Sequence, residues 1–583
     1  MSGEADLAKR ALSRGDLIAA YDITVLAIAE GDETNEVRHQ QILALARMGD
    51  TDRAMELFAA YRLDRSDHPH ERAIGARLLK DRAMALPEGE ARQAALEQAF
   101  AVYHAIYLDS GDSFPGINAA TLALLAGEGD RARTLAEALL ADPEVAAGTD
   151  YYMAATRAEA LLVLGRLDEV GAVLAGAPVR DCADYGARAS TARQLGRIAA
   201  YLGLDDAAPA ALLAPLTPPR AAHFCGHMFA ADGDAEARLR ERIERALDEE
   251  GIGFACGALA CGADIVFAEA ALARGIELNV VLPFEEADFL AQSVLPGGEG
   301  WRERYRACVE RAAGVIQASQ MEFFGDPSQY GYASRMAMGL ARLRAQHLRT
   351  EAVQIAIWDC AGAHGPAGTG ADVAAWRERG GRTVVIDPGP VDRALERPPP
   401  RVRSDYERML AAILFTDFAG FSTLKETALP AFWDGVMRRV AEVLDGHEGE
   451  VECRNSWGDA LYAVMPNAPA AAGIALELQD VLSRFDFATL GLDGKGGMRV
   501  GVHYGPAYRT IDHITGRTTF YGTEVSKAAR IEPVTPPGAV FVTEPFAAIL
   551  ALEAADRFTC RYVGRIALAK NYGQFPMYRL TRA

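Results

Sequence analysis

The sequence lacks long hydrophobic runs, paired cysteines and an excess of positive charge. No window of about 18 apolar residues occurs, so we expect no membrane span. The N-terminus has no apolar run behind a basic start, so we expect no signal peptide. The eight cysteines form no CxxC pair, which argues against a zinc site or a disulfide framework. A formal net charge of -20 disfavours nonspecific binding to nucleic acid or anionic lipid. These absences together predict a cytoplasmic protein.

The length of 583 residues exceeds what one hydrophobic core supports, and it predicts three or four domains. Proline-rich breaks fall at 216–219 and between Pro388 and Pro400. We therefore expect a helical domain at 1–215, an α/β domain at 220–390, a linker at 391–404 and a last domain at 405–583. The predicted fold class is multidomain α and α/β: an α-helical solenoid, a Rossmann-like α/β domain and a ferredoxin-like α+β domain.

The N-terminal region contains three stretches in which a glycine turn separates two helical patterns. They span 42–58, 122–136 and 160–172. This unit resembles a tetratricopeptide-like (TPR-like) solenoid with degenerate repeats. The segment from Phe114 to Thr121 also resembles TRAF-binding helical regions of some kinase kinase kinases. Two interpretations stay open: an α-helical scaffold with no ligand, and a docking surface for a protein partner.

The pattern of the middle region predicts a parallel βαβ arrangement. A strand-like run starts near Ala221, a second begins at Ile252 and leads into a Gly/Ala turn, and a third spans 276–284. Two further runs, at 354–358 and 382–387, add strands of the same type. Five strand-like runs of this kind predict a Rossmann-like sheet covered by helices.

The turn from Gly257 to Asp264 resembles the nucleotide-approaching turn of the Rossmann-like SLOG superfamily. The resemblance implies a ligand turn that includes Gly257, Gly262 and Asp264, at the start of a helix. A second glycine-rich turn, at 362–370, is positioned to line the same crevice. No catalytic set is evident, so the pattern favours ligand sensing over chemistry. The alternative is that these glycines only turn the chain.

The most informative stretch is the apolar run that begins at Ala411 and ends in Asp417. About forty residues later, two strand-like runs flank a tight turn formed by Gly458 and Asp459. Such a hairpin places Asp459 beside Asp417, and two carboxylates on adjacent strand ends suit hard divalent cations. The alternative is that Asp417 caps the next helix and that Asp459 only suits its turn.

From Tyr406 onward the predicted order of strands and helices is a ferredoxin-like βαββαβ arrangement with additions. Four motifs in this order and spacing resemble the catalytic domain of class III nucleotidyl cyclases. They are Phe-Thr-Asp417-Phe-Ala-Gly-Phe-Ser, Gly458-Asp459, Arg-Val-Gly-Val-His503-Tyr-Gly505-Pro and Tyr-Gly-Thr-Glu-Val-Ser-Lys-Ala-Ala-Arg530. The resemblance covers about residues 405–583.

The resemblance implies roles for individual residues. The two metal-binding aspartates of the family fall on Asp417 and Asp459, and the backbone carbonyl of Phe418 is the expected third ligand. The transition-state arginine falls on Arg530. Lys570 is the nearest match to the phosphate-binding lysine, although the motif around it is shifted.

The base-selecting and catalytic positions show departures. The two base-selecting positions fall on Asn455 and Thr519; adenylate cyclases usually carry Lys at the first and Asp or Thr at the second. Thr519 therefore matches the adenylate cyclase pattern, whereas Asn455 differs from it. Ser526 stands where the family usually has an Asn, and it keeps a hydroxyl with less reach.

The resemblance predicts a phosphorus-oxygen lyase that converts ATP to 3',5'-cyclic AMP and pyrophosphate, with two Mg²⁺ or Mn²⁺ ions per site. It also implies a homodimer, because in the family the aspartates and the arginine at one substrate come from different subunits. We expect the preceding domains to regulate the reaction. The alternatives are a preference for GTP or a pyrimidine triphosphate, a degenerate nucleotide-binding sensor, and an interaction scaffold. The Gly-Gly-(Asp/Glu)-Glu-Phe turn of a diguanylate cyclase is missing.

Overall fold

The computed structural model describes residues 3–204, 207–362, 365–400, 408–491 and 497–583. Within these ranges, no helix is long and apolar enough to cross a membrane. The chain divides into two compact units, Met1–Pro218 with His347–Thr350, and Pro219–Gln346 with Glu351–Ala583. Residues 401–404 of the expected linker, 405–407 of the expected last domain and 363–364 of the second glycine-rich turn lie outside the described residues.

The first unit is built from helices in antiparallel pairs. The helices are α1 (Gly3–Ser13), α2 (Leu17–Ala29), α3 (Asn35–Met48), α4 (Thr51–Tyr61), α5 (Pro69–Ala85), α6 (Glu90–Ser110), α7 (Ser113–Leu125), α8 (Gly129–Ala141), α9 (Pro143–Ala147), α10 (Tyr151–Val163), α11 (Leu167–Leu174), α12 (Ala177–Arg180), α13 (Tyr185–Tyr201) and α14 (Ala207–Leu213). The three predicted pairs correspond to α3 with α4, α7 with α8, and α10 with α11. The expected helical solenoid is therefore present.

The turn between α3 and α4 shows why a Gly-Asp pair separates two helices in the sequence. Gly49 ends α3 with a φ of 87°, a left-handed conformation that glycine adopts without steric cost. Asp50 then begins α4, and its side chain accepts a hydrogen bond from the N–H of Arg53 at 3.3 Å. One helix thus ends and the next starts within two residues, which forces the pair to fold back on itself.

The second unit begins with a six-stranded parallel sheet. Its strands are β1 (Arg220–Gly226), β2 (Ile252–Gly257), β3 (Glu277–Leu282), β4 (Gly314–Gln317), β5 (Ala352–Ile357) and β6 (Thr383–Ile386), and its helices are α15 (Gly233–Glu250), α16 (Ala263–Ala273), α17 (Glu286–Phe289), α18 (Gly300–Arg311), α19 (Ser328–Leu348) and α20 (Thr369–Glu378). The strand order is β4-β3-β2-β1-β5-β6. The predicted parallel α/β sheet is present, and β4 is an additional strand that the sequence did not indicate.

The same unit contains a mixed sheet with eight strands. They are β7 (Arg408–Ala419), β8 (Cys453–Trp457), β9 (Ala460–Met465), β10 (Gly497–Ile511), β11 (Thr518–Tyr521), β12 (Val540–Thr543), β13 (Phe558–Ala567) and β14 (Gln574–Arg582). The order is β13-β14-β12-β10-β7-β9-β8, and β11 pairs with β10. The accompanying helices are α21 (Leu429–Phe432), α22 (Arg438–Gly446), α23 (Ala468–Ser483), α24 (Thr523–Ala528) and α25 (Glu544–Glu553). This is the expected ferredoxin-like α+β arrangement.

The long central strands fix the geometry of this sheet. β7 pairs antiparallel with β10 over twelve residues of β7, from Arg408 to Ala419, and on its other edge with β9. The apolar run from Ala411 to Leu414 is fully buried, so burial of this run sets the position of the strand. The polar end of β7 is thereby held at a defined place in the sheet.

Candidate active site

Asp417 lies two residues before the end of β7 and faces Arg499 across the ladder. The two residues are direct partners in the antiparallel pairing of β7 with β10. Their side chains form an ion pair between Asp417 Oδ2 and Arg499 Nη2. Arg499 Nε also lies 3.0 Å from Glu532 Oε1. One arginine therefore joins two carboxylates, and it orients Asp417 at the end of the strand.

Asp459 lies in the hairpin between β8 and β9, beside Asp417. Gly458, with a φ of 62°, makes the left-handed turn between β8 and β9 that a side chain would strain. The N–H of Phe418 donates a hydrogen bond to Asp459 Oδ2 at 3.2 Å. Burial and the nearby carboxyl group of Asp417 raise the pKa of Asp459 to about 6. The sequence separation of 42 residues is closed by the pairing of β7 with β9.

Glu532 adds a third acidic group to this region. Burial and the charge of Asp417 raise its pKa to about 7, while Arg499 opposes that shift. Arg499 pairs with Asp417 and Glu532, so the repulsion among the three carboxyl groups, Asp459 included, is only partly compensated. A positively charged ligand would remove that repulsion.

These residues fit a hard divalent cation. The aspartates Asp417 and Asp459 supply charged oxygens. Within an extended strand, the N–H and C=O of one residue point to the same neighbour, so the carbonyl of Phe418 lies on the side of Asp459. No group of three or more His, Cys, Asp or Glu side chains suited to a metal occurs in the described part of the chain. Magnesium sites that use one or two carboxylates with substrate phosphates match such a donor set.

The two predicted base-selecting residues lie on strands that meet. Asn455 is exposed on β8, and its Oδ1 accepts from the N–H of Ser456 at 2.9 Å. Thr519 lies on β11, where the carbonyl of the preceding Thr518 accepts from Cys453 Sγ at 3.2 Å. The contact between Cys453 and Thr518 brings the two strands together, although Asn455 and Thr519 themselves share no hydrogen bond among the described residues.

Ser526, Arg530 and Lys570 form a second group. Ser526 is exposed on α24, and Arg530 follows the end of that helix. The carbonyl of Arg530 accepts from the N–H of Ala569 at 3.3 Å, which places the exposed Lys570 nearby. Among the described residues, neither Arg530 nor Lys570 forms an ion pair with an acidic side chain of the first group. The two groups are therefore not joined by an ion pair within the described part of one chain.

Helix α24 is held in place by a buried triad of charged and polar groups. His503 Nε2 lies 2.7 Å from Glu524 Oε2, and Lys527 Nζ donates to the same oxygen at 2.6 Å. Burial raises the pKa of Glu524, but the hydrogen bond to His503 and the charge of Lys527 outweigh it and lower the value to about 2. The charged carboxylate thus fixes the helix that carries Ser526.

The predicted ligand turn of the middle sheet is closely packed. A Cβ added at Gly257 would lie 2.7 Å from the carbonyl oxygen of Phe224, and one at Gly262 would lie 2.6 Å from the backbone N of Phe229. Packing alone therefore requires glycine at both positions. Asp264 is buried, its Oδ2 accepts from Ala260 N–H at 3.2 Å, and burial raises its pKa well above the ordinary value.

Sequence reasoning missed several polar residues. Arg499 and Glu532 were assigned no role, although an arginine in the apolar alternation of β10 was a usable signal. In the middle sheet, His227 Nε2 lies 2.9 Å from Asp359 Oδ1, and Arg393 pairs with the same carboxylate. His227 and Asp359 follow β1 and β5, the adjacent strands at which the order of the sheet reverses, where ligands of α/β folds commonly bind.

Two family models match this chain. Residues 17–123 match the Tetratricopeptide Repeats-Sensor family, and residues 405–582 match the Adenylate and Guanylate cyclase catalytic domain. Neither range includes the middle sheet, so its resemblance to SLOG proteins stays a prediction. No curated protein is similar enough to count as a relative.

Several solved structures are similar to part of the chain. The adenylyl cyclase CyaB from P. aeruginosa is 17% identical, with a TM-score of 0.28, over 31% of this chain and 97% of that one. The guanylate cyclase domain of RhGC from Catenaria anguillulae is 17% identical, with a TM-score of 0.26, over 30% and 98%. An adenylate cyclase from Trypanosoma brucei is 24% identical, with a TM-score of 0.25, over 29% and 87%. By its family match, the segment 405–582 is a class III adenylate and guanylate cyclase catalytic domain, preceded by a TPR-like helical region.

Proposed function

We propose that this protein is a nucleotidyl cyclase that converts ATP to 3',5'-cyclic AMP and pyrophosphate. The observation that carries the proposal is the approach of Asp417 to Asp459 within a domain of the cyclase family. In this reaction the ribose 3'-oxygen forms a bond to the α-phosphorus. The bond from that phosphorus to the oxygen bridging the α- and β-phosphates breaks, and pyrophosphate leaves.

The acidic group would hold the metal ions. Two Mg²⁺ or Mn²⁺ ions, when bound, lower the pKa of the attacking hydroxyl and neutralise charge on the triphosphate. Asp417, Asp459 and the carbonyl of Phe418 would be their protein ligands. Arg499 orients Asp417 through their ion pair.

The basic group would stabilise the transition state. Arg530 would donate two hydrogen bonds to the phosphoryl oxygens on which negative charge develops. Ser526 would orient the nucleotide through its hydroxyl, and Lys570 would bind the terminal phosphates. Glu524 positions Ser526 and the following Arg530 because it holds helix α24 against His503.

We propose a homodimer because, in the family that this domain resembles, the aspartates and the arginine at one substrate come from different subunits. Arg530 forms no ion pair with Asp417 or Asp459 among the described residues of one chain. In the proposed assembly the acidic group of one subunit and the basic group of its partner share a substrate, which the symmetry of a two-fold dimer permits at two equivalent sites.

Substrate choice rests on Asn455 and Thr519. ATP is the proposed substrate because Thr519 fits the adenylate pattern, and Asn455 carries both a donor and an acceptor that can rotate to suit more than one base. We therefore propose a preference for ATP that is weaker than that of a cyclase with lysine at this position. GTP and the pyrimidine triphosphates remain the alternative substrates.

The deciding experiment incubates the full chain with each of the four nucleoside triphosphates and Mg²⁺ or Mn²⁺. Cyclic AMP, identified by mass together with pyrophosphate, is the expected main product. A protein that binds nucleotide but releases no pyrophosphate would instead be a nucleotide sensor, an alternative favoured by Asn455 and Ser526. Absence of both binding and product would point to an interaction scaffold.

Further proposals concern the domain limits, the cellular location and the regulation of the protein. We propose the domain limits 1–215, 220–390 and 405–583, with a linker at 391–404. We propose a cytoplasmic protein whose two preceding domains regulate the cyclase dimer through a small ligand or a protein partner. Full-length protein should then change its specific activity when the ligand or partner is added, at a fixed dimer concentration.

A further inference from the structure

A cluster of positive charge lies within the helical unit of a chain whose net charge is -20. Arg77 and Asp81 are one turn apart on α5, and Arg193 and Arg197 are one turn apart on α13. Arg77 Nε lies 3.5 Å from Asp81 Oδ2, and Arg197 Nη1 lies 3.8 Å from Asp81 Oδ1. Arg77 and Arg197, from two helices, therefore share one carboxylate, and Arg193 lies one turn before Arg197 on α13.

Arg47 on α3 contributes a fourth guanidinium group. Its Nη1 donates to the carbonyl of Leu12 at 3.1 Å. The buried Nε atoms of Arg47 and Arg193 have no hydrogen-bond partner among the residues that the structure describes. A buried donor without a partner is costly, so each of these atoms would gain from an acceptor supplied by a ligand.

The charged side chains of this cluster shift the pKa values of one another. Burial, followed by the charge of Arg77, lowers the pKa of both Arg47 and Arg193 to about 10. Burial and the charges of His70, Arg77 and Arg47 lower the pKa of His39 to about 4. The guanidinium groups are therefore close enough to repel one another, and Asp81, with Asp184 near Arg47, offsets part of this repulsion.

A rigid polar layer supports the cluster. Lys80 is buried beside Asp81 on α5, and its Nζ donates to Asn118 Oδ1 at 2.7 Å and to Gln194 Oε1 at 3.2 Å. Gln194 Nε2 in turn donates to the buried Glu159 Oε1 at 3.0 Å. These contacts join α5, α7, α10 and α13, so the arginines project from a fixed framework of helices.

We propose that Arg77, Arg193 and Arg197, with Arg47, bind a small molecule that carries one or more phosphate groups. The planar fork of a guanidinium matches phosphate oxygens in pairs. Several converging positive charges suit an ion with more than one negative charge. The side chains of Arg77 and Arg197 are 17% and 23% exposed, enough for a small ion to reach them. The proposal does not depend on cyclase activity.

The test is calorimetric titration of the full chain with inorganic phosphate and with pyrophosphate. The chain carries Arg530→Ala and the buffer contains EDTA, so that binding at the proposed cyclase site does not contribute. Sodium chloride at matched ionic strength is the reference ion. We expect saturable binding, tighter for pyrophosphate, and a rise in Tm that chloride does not produce.

The decisive variant combines Arg193→Gln with Arg197→Gln. We expect at least an approximately tenfold loss of pyrophosphate affinity, together with an unchanged or higher Tm without ligand, because two mutually repelling charges are removed. Arg180→Gln is the matched control, since Arg180 is exposed and pairs with Asp181. Unchanged affinity in the double variant, or a response to pyrophosphate no larger than that to chloride, would overturn the proposal.

A conservative variant covers the case in which the double variant does not fold. Arg193→Lys keeps the charge but removes the paired donors of the guanidinium. We expect wild-type stability and weaker binding of pyrophosphate. Wild-type affinity in this variant, combined with a large loss of Tm in the double variant, would mean that the arginines only stabilise the helical unit.

Discussion

The carboxyl groups of Asp459 and Asp417 lie within hydrogen-bonding reach of each other, although 42 residues separate them in the chain. Asp417 is also paired with Arg499, whereas Asp459 accepts a backbone hydrogen bond from Phe418. The two acids therefore differ in their partners, and burial together with the neighbouring carboxyl group of Asp417 raises the pKa of Asp459 to about 6. A divalent cation between them would remove the repulsion that this shift expresses.

Substitution of either acid by asparagine should reduce cyclase turnover by orders of magnitude, because a charged metal ligand is lost. Without metal, Asp459→Asn should leave the Tm unchanged or higher, since the repulsion from Asp417 is relieved. Mn²⁺ should raise the Tm of the wild type, and this rise should be absent in the variant. Asp434→Asn, at an exposed helical position, is the control. Full turnover in Asp417→Asn or Asp459→Asn would refute the assignment of the site.

Mixing two inactive variants tests whether the site is shared. Asp417→Asn and Arg530→Ala should each be inactive alone. If subunits exchange freely, half of the dimers are mixed and each mixed dimer holds one intact site, so activity should return to about a quarter of the wild type. The measurement is cyclic nucleotide production after co-refolding or co-expression. No recovery in verified mixed dimers would mean that each chain builds its own site.

Asn455→Lys should sharpen the preference for ATP. Lysine adds a charged donor toward the adenine edge, whereas the amide of Asn455 adapts to several bases. Competition assays with mixed nucleoside triphosphates measure the ratio of products. Loss of ATP turnover in this variant, or a wild type that makes only a cyclic pyrimidine nucleotide, would contradict this view of the base pocket.

Glu524→Gln should destabilise the second unit by about 3 kcal/mol at neutral pH, because His503 and Lys527 lose a buried charged partner. Helix α24 should become mobile, and activity should fall with it. Urea unfolding and amide exchange of 523–530 provide the two measurements. Glu442→Gln, on the exposed face of α22, should change neither. A stability equal to the wild type would show that the triad contributes little.

Because of Asp372, we expect the stability of the middle sheet to depend on pH. Burial raises its pKa from 3.8 to about 7, despite a hydrogen bond from Ser334 and the charge of Arg335. The buried Asp264 and Cys225 also face this region. The folded state therefore holds a proton that the unfolded state releases, and stability should decrease as pH rises from about 4 to 7, by up to about 1.4 kcal/mol per unit.

The variant Asp372→Asn should remove this slope and raise Tm at pH 7.5. Thermal unfolding across pH 5 to 8 compares it with Asp387→Asn, at an exposed position after β6. If wild type and Asp372→Asn show the same dependence on pH, another group is responsible.

Local sequence patterns were sufficient to predict most helices and strands and the family of the last domain. The apolar run before Asp417, the turn at Gly458 and the Gly49-Asp50 signal all depend on residues close in sequence, where side-chain period and backbone preference decide the outcome. The strand β4 was missed because four half-exposed residues carry too little periodicity. The positions of the predicted base-selecting residues followed from family motifs, not from spacing alone.

The sequence by itself determined that two acids end adjacent strands, that small repeats form paired helices, and that a glycine turn follows β2. Only the tertiary structure decided which charges meet. Arg499 pairs with Asp417 because β7 and β10 align in one register, and Arg197 pairs with Asp81 because two helices more than a hundred residues apart in the chain come together. Such partners are set by long-range packing, for which a single sequence carries no local signal.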